Sequence, residues 1–228
     1  MVRVLAVADE VIDSLTFGVG IDNAPDLILA AGDLPFDYLE TLMTLCDAPC
    51  VYVPGNHDAD LRGFRRSRTG WTRAGLPADF PGPAGAVNAD GRTVRVAGLL
   101  IAGLGGSLRY NNGPNQYTET AQRLRSMKVG ITAKLGGRRP DILLTHSPAR
   151  GVGDRDDTAH RGFQCIHGLV DSLDPALLIH GHVHPYGTHP TDKIVGTMTV
   201  SMNVVGYCQF DIEPGERDFT IVRRRYGA

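Results

Sequence analysis

The chain has 228 residues, 42% hydrophobic and 21% charged, with a formal net charge of −2. A single domain of that length buries roughly 70% of the surface its unfolded chain would expose, so it needs no disulfide staples. The near-neutral balance supplies no global field toward nucleic acid or an anionic membrane, and the longest apolar runs, such as residues 94–104, are too short and glycine-rich to span a bilayer.

The opening MVRVLAVADE carries one Arg and an early acidic pair. A secretory leader would show a longer apolar segment and a small-residue cleavage site, so the expected location is the cytoplasm. Residues Val2–Ala8 read as a buried strand, and residues 27–31 repeat that pattern before Gly32-Asp33. Residues 36–45 place Phe36, Leu39, Leu42 and Met43 at helical spacing after Pro35. Residues 50–53 form a third strand, stopped by Pro54-Gly55. Alternation of strand and helix predicts α/β organisation.

Residues 59–91 are the least regular stretch, an Arg-rich loop with Arg62, Arg65, Arg66, Arg68, Arg73 and the only Trp, Trp71. Strands are expected at 93–97 and Leu99–Leu104. A helix is expected at 119–134, with Leu124, Met127 and Ile131 on one face. A strand at 141–144 ends at Thr145-His146. A helix at 162–173 carries an apolar stripe of Phe163, Ile166, Leu169, Val170 and Leu173. A strand at 176–179 runs into His180-Gly181-His182. Residues 194–205, 207–212 and 219–224 alternate enough to be antiparallel strands. A parallel half followed by a strand-rich half predicts two packed sheets within one domain spanning residues 1–228.

Four cysteines remain, and only Cys46 and Cys50 are close in sequence. No second pair completes a four-sulfur zinc site, so reduced, mostly buried thiols are expected.

Five strands end in polar residues: Asp9, Gly32-Asp33, Gly55-Asn56-His57-Asp58, His146, and Gly181-His182-Val183-His184. Strand C-terminal ends are where an α/β fold presents functional groups. Glycine there lets the backbone turn sharply and approach an ion. Carboxylate, imidazole and amide ligands without thiolate suit Mn, Fe or Zn in a reactive site rather than a structural zinc. The number of ligands suits two ions sharing a carboxylate, the clamp used for in-line displacement at phosphorus.

In this order the motifs resemble the calcineurin-like metallophosphoesterase superfamily, whose pattern is D-x-H, G-D, G-N-H-[DE], H and G-H-x-H. The match runs from residue 1 to about residue 205, and GLGGSLRY and AHRGF resemble a bacterial subgroup. The resemblance implies a four-layer α/β/β/α sandwich, two mixed β-sheets flanked by helices. It implies two divalent ions, Mn favoured over Fe or Zn. Asp33 would bridge them, Asn56, His146 and His182 would complete one site, and Asp9 and His184 would serve the other. His57 would act as leaving-group acid with Asp58 orienting its ring, while a metal-bound hydroxide attacks a phosphate mono- or diester.

Val11 departs from the pattern, standing where the family has a ligand His. One metal position is therefore expected to be weak, filled by water or substrate, or by Glu10 or Asp13. Arg109 follows Gly105-Gly106-Ser107, and its guanidinium suits a phosphate. His160 in AHRGF is a candidate substrate neighbour. His180 reads as a buried, hydrogen-bonded imidazole, His167 and His189 as structural or exposed, and Tyr110, Asn111 and Asn112 as rim residues. The expected partner is a small phosphate ester, with no membrane. Nucleic acid is disfavoured by the charge, and nothing sets an oligomeric state. The rival functions are a catalytically silent binding or scaffold protein, a nuclease and a cyclic-nucleotide phosphodiesterase.

Overall fold

A computed structural model describes every residue except Asp22, Pro190 and Ala228. In chain order its first elements are β1 (Val2–Ala8), α1 (Asp13–Thr16), β2 (Leu27–Ala30), α2 (Phe36–Cys46) and β3 (Cys50–Tyr52). Then come β4 (Phe64–Ser67), β5 (Gly70–Arg73), β6 (Leu76–Pro77), β7 (Val87–Asn88), β8 (Thr93–Val96), β9 (Leu99–Leu104), β10 (Ser107–Leu108) and β11 (Gln116–Tyr117). The last are α3 (Glu119–Leu135), β12 (Ile142–Thr145), α4 (Cys165–Leu173), β13 (Leu177–His180), β14 (Lys193–Val195), β15 (Thr199–Asn203), β16 (Gly206–Ile212) and β17 (Phe219–Tyr226).

Two six-stranded sheets carry the site. The first runs β17-β16-β1-β2-β3-β7 and the second β14-β15-β13-β12-β9-β8. In the first, β1, β2, β3 and β7 are parallel, and β16 runs antiparallel to both β1 and β17. In the second, β15, β13, β12 and β9 are parallel, with β14 and β8 antiparallel at the two edges.

Side-chain alternation sorts the apolar residues into layers. Val4, Ala6, Leu27 and Leu29 face Ile142, Leu144, Leu177 and Ile179 in the core between the sheets. Leu5, Val7 and Ile28 face outward onto α1 and α2. Leu143 and Leu178 face the other way, onto α3 and α4. The result is the expected α/β/β/α sandwich, and near-continuous hydrophobic strands are what burial on both faces demands. No helix among the described residues is long and apolar enough to cross a membrane.

Three local expectations need correction. Residues 59–91 are not without regular structure: β4, β5 and β6 form a small antiparallel sheet. Trp71 stacks on Phe80 at 4.1 Å and Phe64 meets Phe80 edge-on at 5.5 Å, so local aromatic contacts organise the segment. The tail strands are not all antiparallel to their neighbours, because β15 lies parallel to β13; residues 196–198 separate it from β14.

The third correction concerns α3, where the helix is present but turned. Leu124, Met127 and Ile131 are exposed, and the buried residues are Gln122, Ser126, Val129, Gly130 and Ala133. A Cβ on Gly130 would meet Leu169 Cδ1 at 3.5 Å, so α4 lies close against α3 and leaves room only for small side chains. The helical period is right and the phase is wrong. On α4 the expected stripe is buried throughout. That helix begins at Cys165 because the Glu119 carboxylate accepts the backbone N–H groups of Gln164 and Cys165, a cap supplied from α3.

The turned helix gives a test. Val129→Ala should cost about 2 kcal/mol through lost burial and an unfilled cavity, lowering Tm by about 4–8 °C. Ile131→Ser should change stability by no more than about 0.5 kcal/mol. Equal losses in thermal denaturation would contradict the assigned face.

Candidate metal centre

The C-terminal ends of β1, β2, β3, β12 and β13 meet at one rim of the sandwich. Each turn there is tight. A Cβ on Gly55 would overlap the Asp33 carboxylate, one on Gly181 would overlap the Asp9 carboxylate, and Gly32 is pressed against Gly55 and His146. Asp9, Asp33 and His182 all have positive φ, at 62°, 56° and 68°. L-residues in that region carry strain that the surroundings must hold.

Ligand atoms of Asp33, His146 and His182 lie within 4.8 Å of one another. His146 Nε2 is 3.1 Å from Asn56 Oδ1 and 3.3 Å from Asp33 Oδ2. Its Nδ1 faces the Ala31 carbonyl oxygen at 2.7 Å. The His182 ring sits 4.8 Å from that of His146, with Nε2 at 2.7 Å from the Ala159 carbonyl oxygen. A carbonyl accepts only, so each histidine carries N–H toward the backbone. That leaves His182 Nδ1 as a lone-pair nitrogen, the outer-shell arrangement that fixes a metal-binding tautomer.

His146 makes the stronger statement. Two acceptors, an amide oxygen and a carboxylate, converge on its Nε2, while its Nδ1–H is already donated to Ala31. A second proton on Nε2 lets the metal-free ring answer both acceptors. Burial pushes its pKa down, but Asp33 outweighs burial and raises it to about 10. Asp33 mirrors this: burial pushes it up, and the His146 charge and hydrogen bond bring it to about 2. The proton stands where a cation with oxygen and nitrogen ligands would fit, and the donor set suits a divalent ion.

Asp9 lies beside this group. Its carboxylate accepts the His182 backbone N–H at 2.9 and 3.1 Å, and burial is the main cause raising its pKa to about 7. His184 lies outside the three-residue cluster, with Nδ1 at 2.9 Å from Glu10 Oε1. Thus Asp33, Asn56, His146 and His182 are brought together with Asp9 alongside, and His184 pairs with Glu10.

A profile of the calcineurin-like phosphoesterase family matches residues 5–186. The chain belongs to the calcineurin-like phosphoesterase family. One solved structure superposes at a TM-score of 0.59 and 17% identity, over 91% of this chain and 93% of its own. The crystal structure of TT1561 of Thermus thermophilus superposes at 0.57 and 17% identity, over 97% and 99%. At such identity the likeness is one of fold. No curated protein gives a significant match.

Several residues of this family member sit differently from expectation. Asp58 does not hold the His57 ring. Its Oδ2 accepts the backbone N–H groups of Gly55 at 2.8 Å and Asp33 at 3.0 Å, so it fixes the two turns. Burial first, with the Asp33 charge adding, raises its pKa to about 6. His57 is exposed, and its backbone N–H donates to Asp33 Oδ1 at 2.8 Å. Val11 is 43% exposed, and no side chain from position 11 enters the cluster. Arg109 is exposed, its guanidinium donating to the Gln116 carbonyl at 3.4 Å. His160 does reach the site: its ring lies 5.5 Å from that of His182 and its Nδ1 pairs with Asp157 at 2.8 Å.

His180 is 2% exposed with Nδ1 at 3.1 Å from the Gly181 oxygen, and burial pushes its pKa down to about 4. His182 is pushed down to about 3 by burial and then by the His146 charge. Further polar supports complete the frame, Tyr110 among them as an expected rim residue. Tyr110 Oη accepts from Asn56 Nδ2 at 3.1 Å. Asn115 donates to the carbonyls of Gly55 and Asp58. Asn203 donates to the Val183 carbonyl at 2.8 Å.

The imidazolium has a pH signature. His146 titrates at about 10 without metal, and an ion at Nε2 must displace that proton. Between about pH 7 and pH 9, Mn binding should release about one proton, and apparent affinity should rise about tenfold per pH unit. Below pH 7 the still-protonated Asp9 adds to the release. Calorimetry in buffers of different ionisation enthalpy measures this. Binding without proton release would mean that His146 is neutral.

Proposed function

We propose that this chain hydrolyses a phosphate mono- or diester with divalent ions held at the rim of the sandwich, Mn favoured. The observation carrying this reading is the convergence of Asn56 Oδ1 and Asp33 Oδ2 on His146 Nε2, with His182 Nδ1 beside them. Asp33, Asn56, His146 and His182 would hold one ion. Asp33, Asp9 and His184 would hold the second. Such ions would supply Lewis acidity to the phosphoryl oxygens and to the attacking water.

The chain's own residues do the rest. Gly32, Gly55 and Gly181 allow the turns to close on the carboxylates. Asp58 keeps the Gly55 and Asp33 turns in register. His57, exposed at the rim and tied through its backbone to Asp33, would protonate the leaving-group oxygen as general acid. His160, near His182, would border the reacting phosphate. Four free thiols support a reducing compartment, and we place the enzyme in the cytoplasm. A shared core and a site drawn from both sheets support treating residues 1–228 as one domain.

The decisive experiment is turnover of bis(p-nitrophenyl) phosphate and p-nitrophenyl phosphate with added Mn. Metal-dependent hydrolysis is expected, and His57→Ala should lower kcat by about a hundredfold or more with esters whose leaving groups need protonation. No turnover with either ester would favour a binding protein on this fold.

We further propose that the Asp9 and His184 side binds its ion weakly, because Val11 brings no ligand. His184 Nδ1 is engaged by Glu10, which supports Glu10 as the residue that would orient the ring and leave Nε2 for the ion. Titration of the metal-stripped chain should resolve one tight and one weaker equivalent, and Val11→His should tighten the weaker one. Two equally tight equivalents in the unmodified chain would sink the idea.

A further inference from the structure

A polar cavity of about 410 Å³ lies on the outer face of the second sheet, next to the metal cradle. Met202 of β15 points into the core between the sheets, while its neighbours Ser201 and Asn203 line the cavity. On β13, Ile179 faces the core and His180 the cavity. His184 lines it as well, so the turn at 182–184 places the cavity directly beside the ion cluster.

The lining has an unusual balance. Ser201 is 3% exposed, and its Oγ is buried with no hydrogen-bond partner. A buried hydroxyl in that state calls for a ligand or water to answer it. His180 keeps Nδ1 on the Gly181 oxygen, and its Nε2 lies toward Gly153, another lining residue. Arg155 is fixed in place, with Nη2 donating to the His184 carbonyl at 2.7 Å and its guanidinium 4.6 Å over the Tyr186 ring. Neither Arg155 nor Lys193 pairs with a carboxylate among the described residues, and both line the cavity. The acid that does line it, Asp154, is already neutralised by Arg150 and by the backbone N–H groups of Gly151 and Gly162. The cavity therefore offers two uncompensated cations, an unanswered hydroxyl and an imidazole edge.

We propose that this cavity binds a second anionic group, phosphate or carboxylate, carried on the alcohol part of the ester. Arg155 and Lys193 supply the charge, and Ser201 and His180 supply hydrogen bonds. The substrate class is then a phosphoester whose leaving group is itself anionic and hydroxylated, rather than a simple alkyl or aryl ester. The assignment rests on the hydrolase reading above, since it takes the phosphate at the rim as the reacting end.

The test uses the full Mn-loaded chain and four probes in competition: inorganic phosphate, glycerol 3-phosphate, 3-phosphoglycerate and fructose 1,6-bisphosphate. A probe with a second anion should bind about tenfold tighter than glycerol 3-phosphate, as a charge-assisted contact would give. Whichever of 3-phosphoglycerate and the bisphosphate shows the preference names the anion as carboxylate or phosphate. Lys193→Ala and Ser201→Ala should each shrink that ratio, while Lys128→Ala, exposed on α3, should leave it intact. If Ser201→Ala raises Tm and leaves the ratio unchanged, the hydroxyl is only a structural defect and its role here is wrong. Equal affinity for all phosphorylated probes, no binding by any, or a ratio that survives Lys193→Ala would overturn the proposal. Release of phosphate from the probes themselves, or turnover of the chromogenic esters, separates the two readings. Turnover without a preference sinks the cavity alone, and a Lys193-dependent preference without turnover sinks the hydrolase reading alone.

Discussion

A single buried imidazole organises the rim of this protein. His146 is fully buried, donates backward to Ala31, and faces Asn56 and Asp33 across the gap between the two sheets. A charge taken out of water is tolerated only when its partners replace the water completely. Here a carbonyl, an amide oxygen and a carboxylate do so. Those partners come from the ends of β2 and β3, while His146 comes from the end of β12. One ion pair therefore joins the first sheet to the second at the place where the chemistry is proposed.

Backbone geometry makes that contact reachable. Asp33 can meet His146 only because Gly32 and Gly55 leave no side chain between them, and Asp9 can accept the His182 N–H only because Gly181 does the same. Asp9, Asp33 and His182 adopt left-handed backbone, strained conformations that the flanking sheets impose. Asp58 then ties Gly55 and Asp33 together from below. The strain is collected at the rim, and the apolar layers between and outside the sheets hold it there.

Much of this was legible in the residues. The main strands could be read because strands buried on both faces are nearly continuous runs of Val, Ile, Leu and Ala, each ending in Gly and a polar residue. The cluster residues could be read because those polar residues share one position relative to their strands. Other features depend on tertiary contact and leave no such mark. The buried face of α3 is set by how closely α4 approaches Gly130, which overrides the larger side chains at 124, 127 and 131. The sequence neighbour of His57, Asp58, bonds to backbone three and twenty-five residues away instead of to that ring. The carbonyls of Ala31 and Ala159 fix two imidazoles, and a backbone oxygen carries no residue-type signal at all.

The two-sheet origin of the rim has a mechanical consequence. An ion held, as proposed, by Asp33 and Asn56 on one side and His146 and His182 on the other would be a rivet through the open edge of the sandwich. Separating the sheets would require releasing it, so its binding free energy would add to the cohesion of the folded chain by mass action. Metal supply and resistance to unfolding would then be one variable, and depleting the ion would loosen the sandwich from its working edge inward.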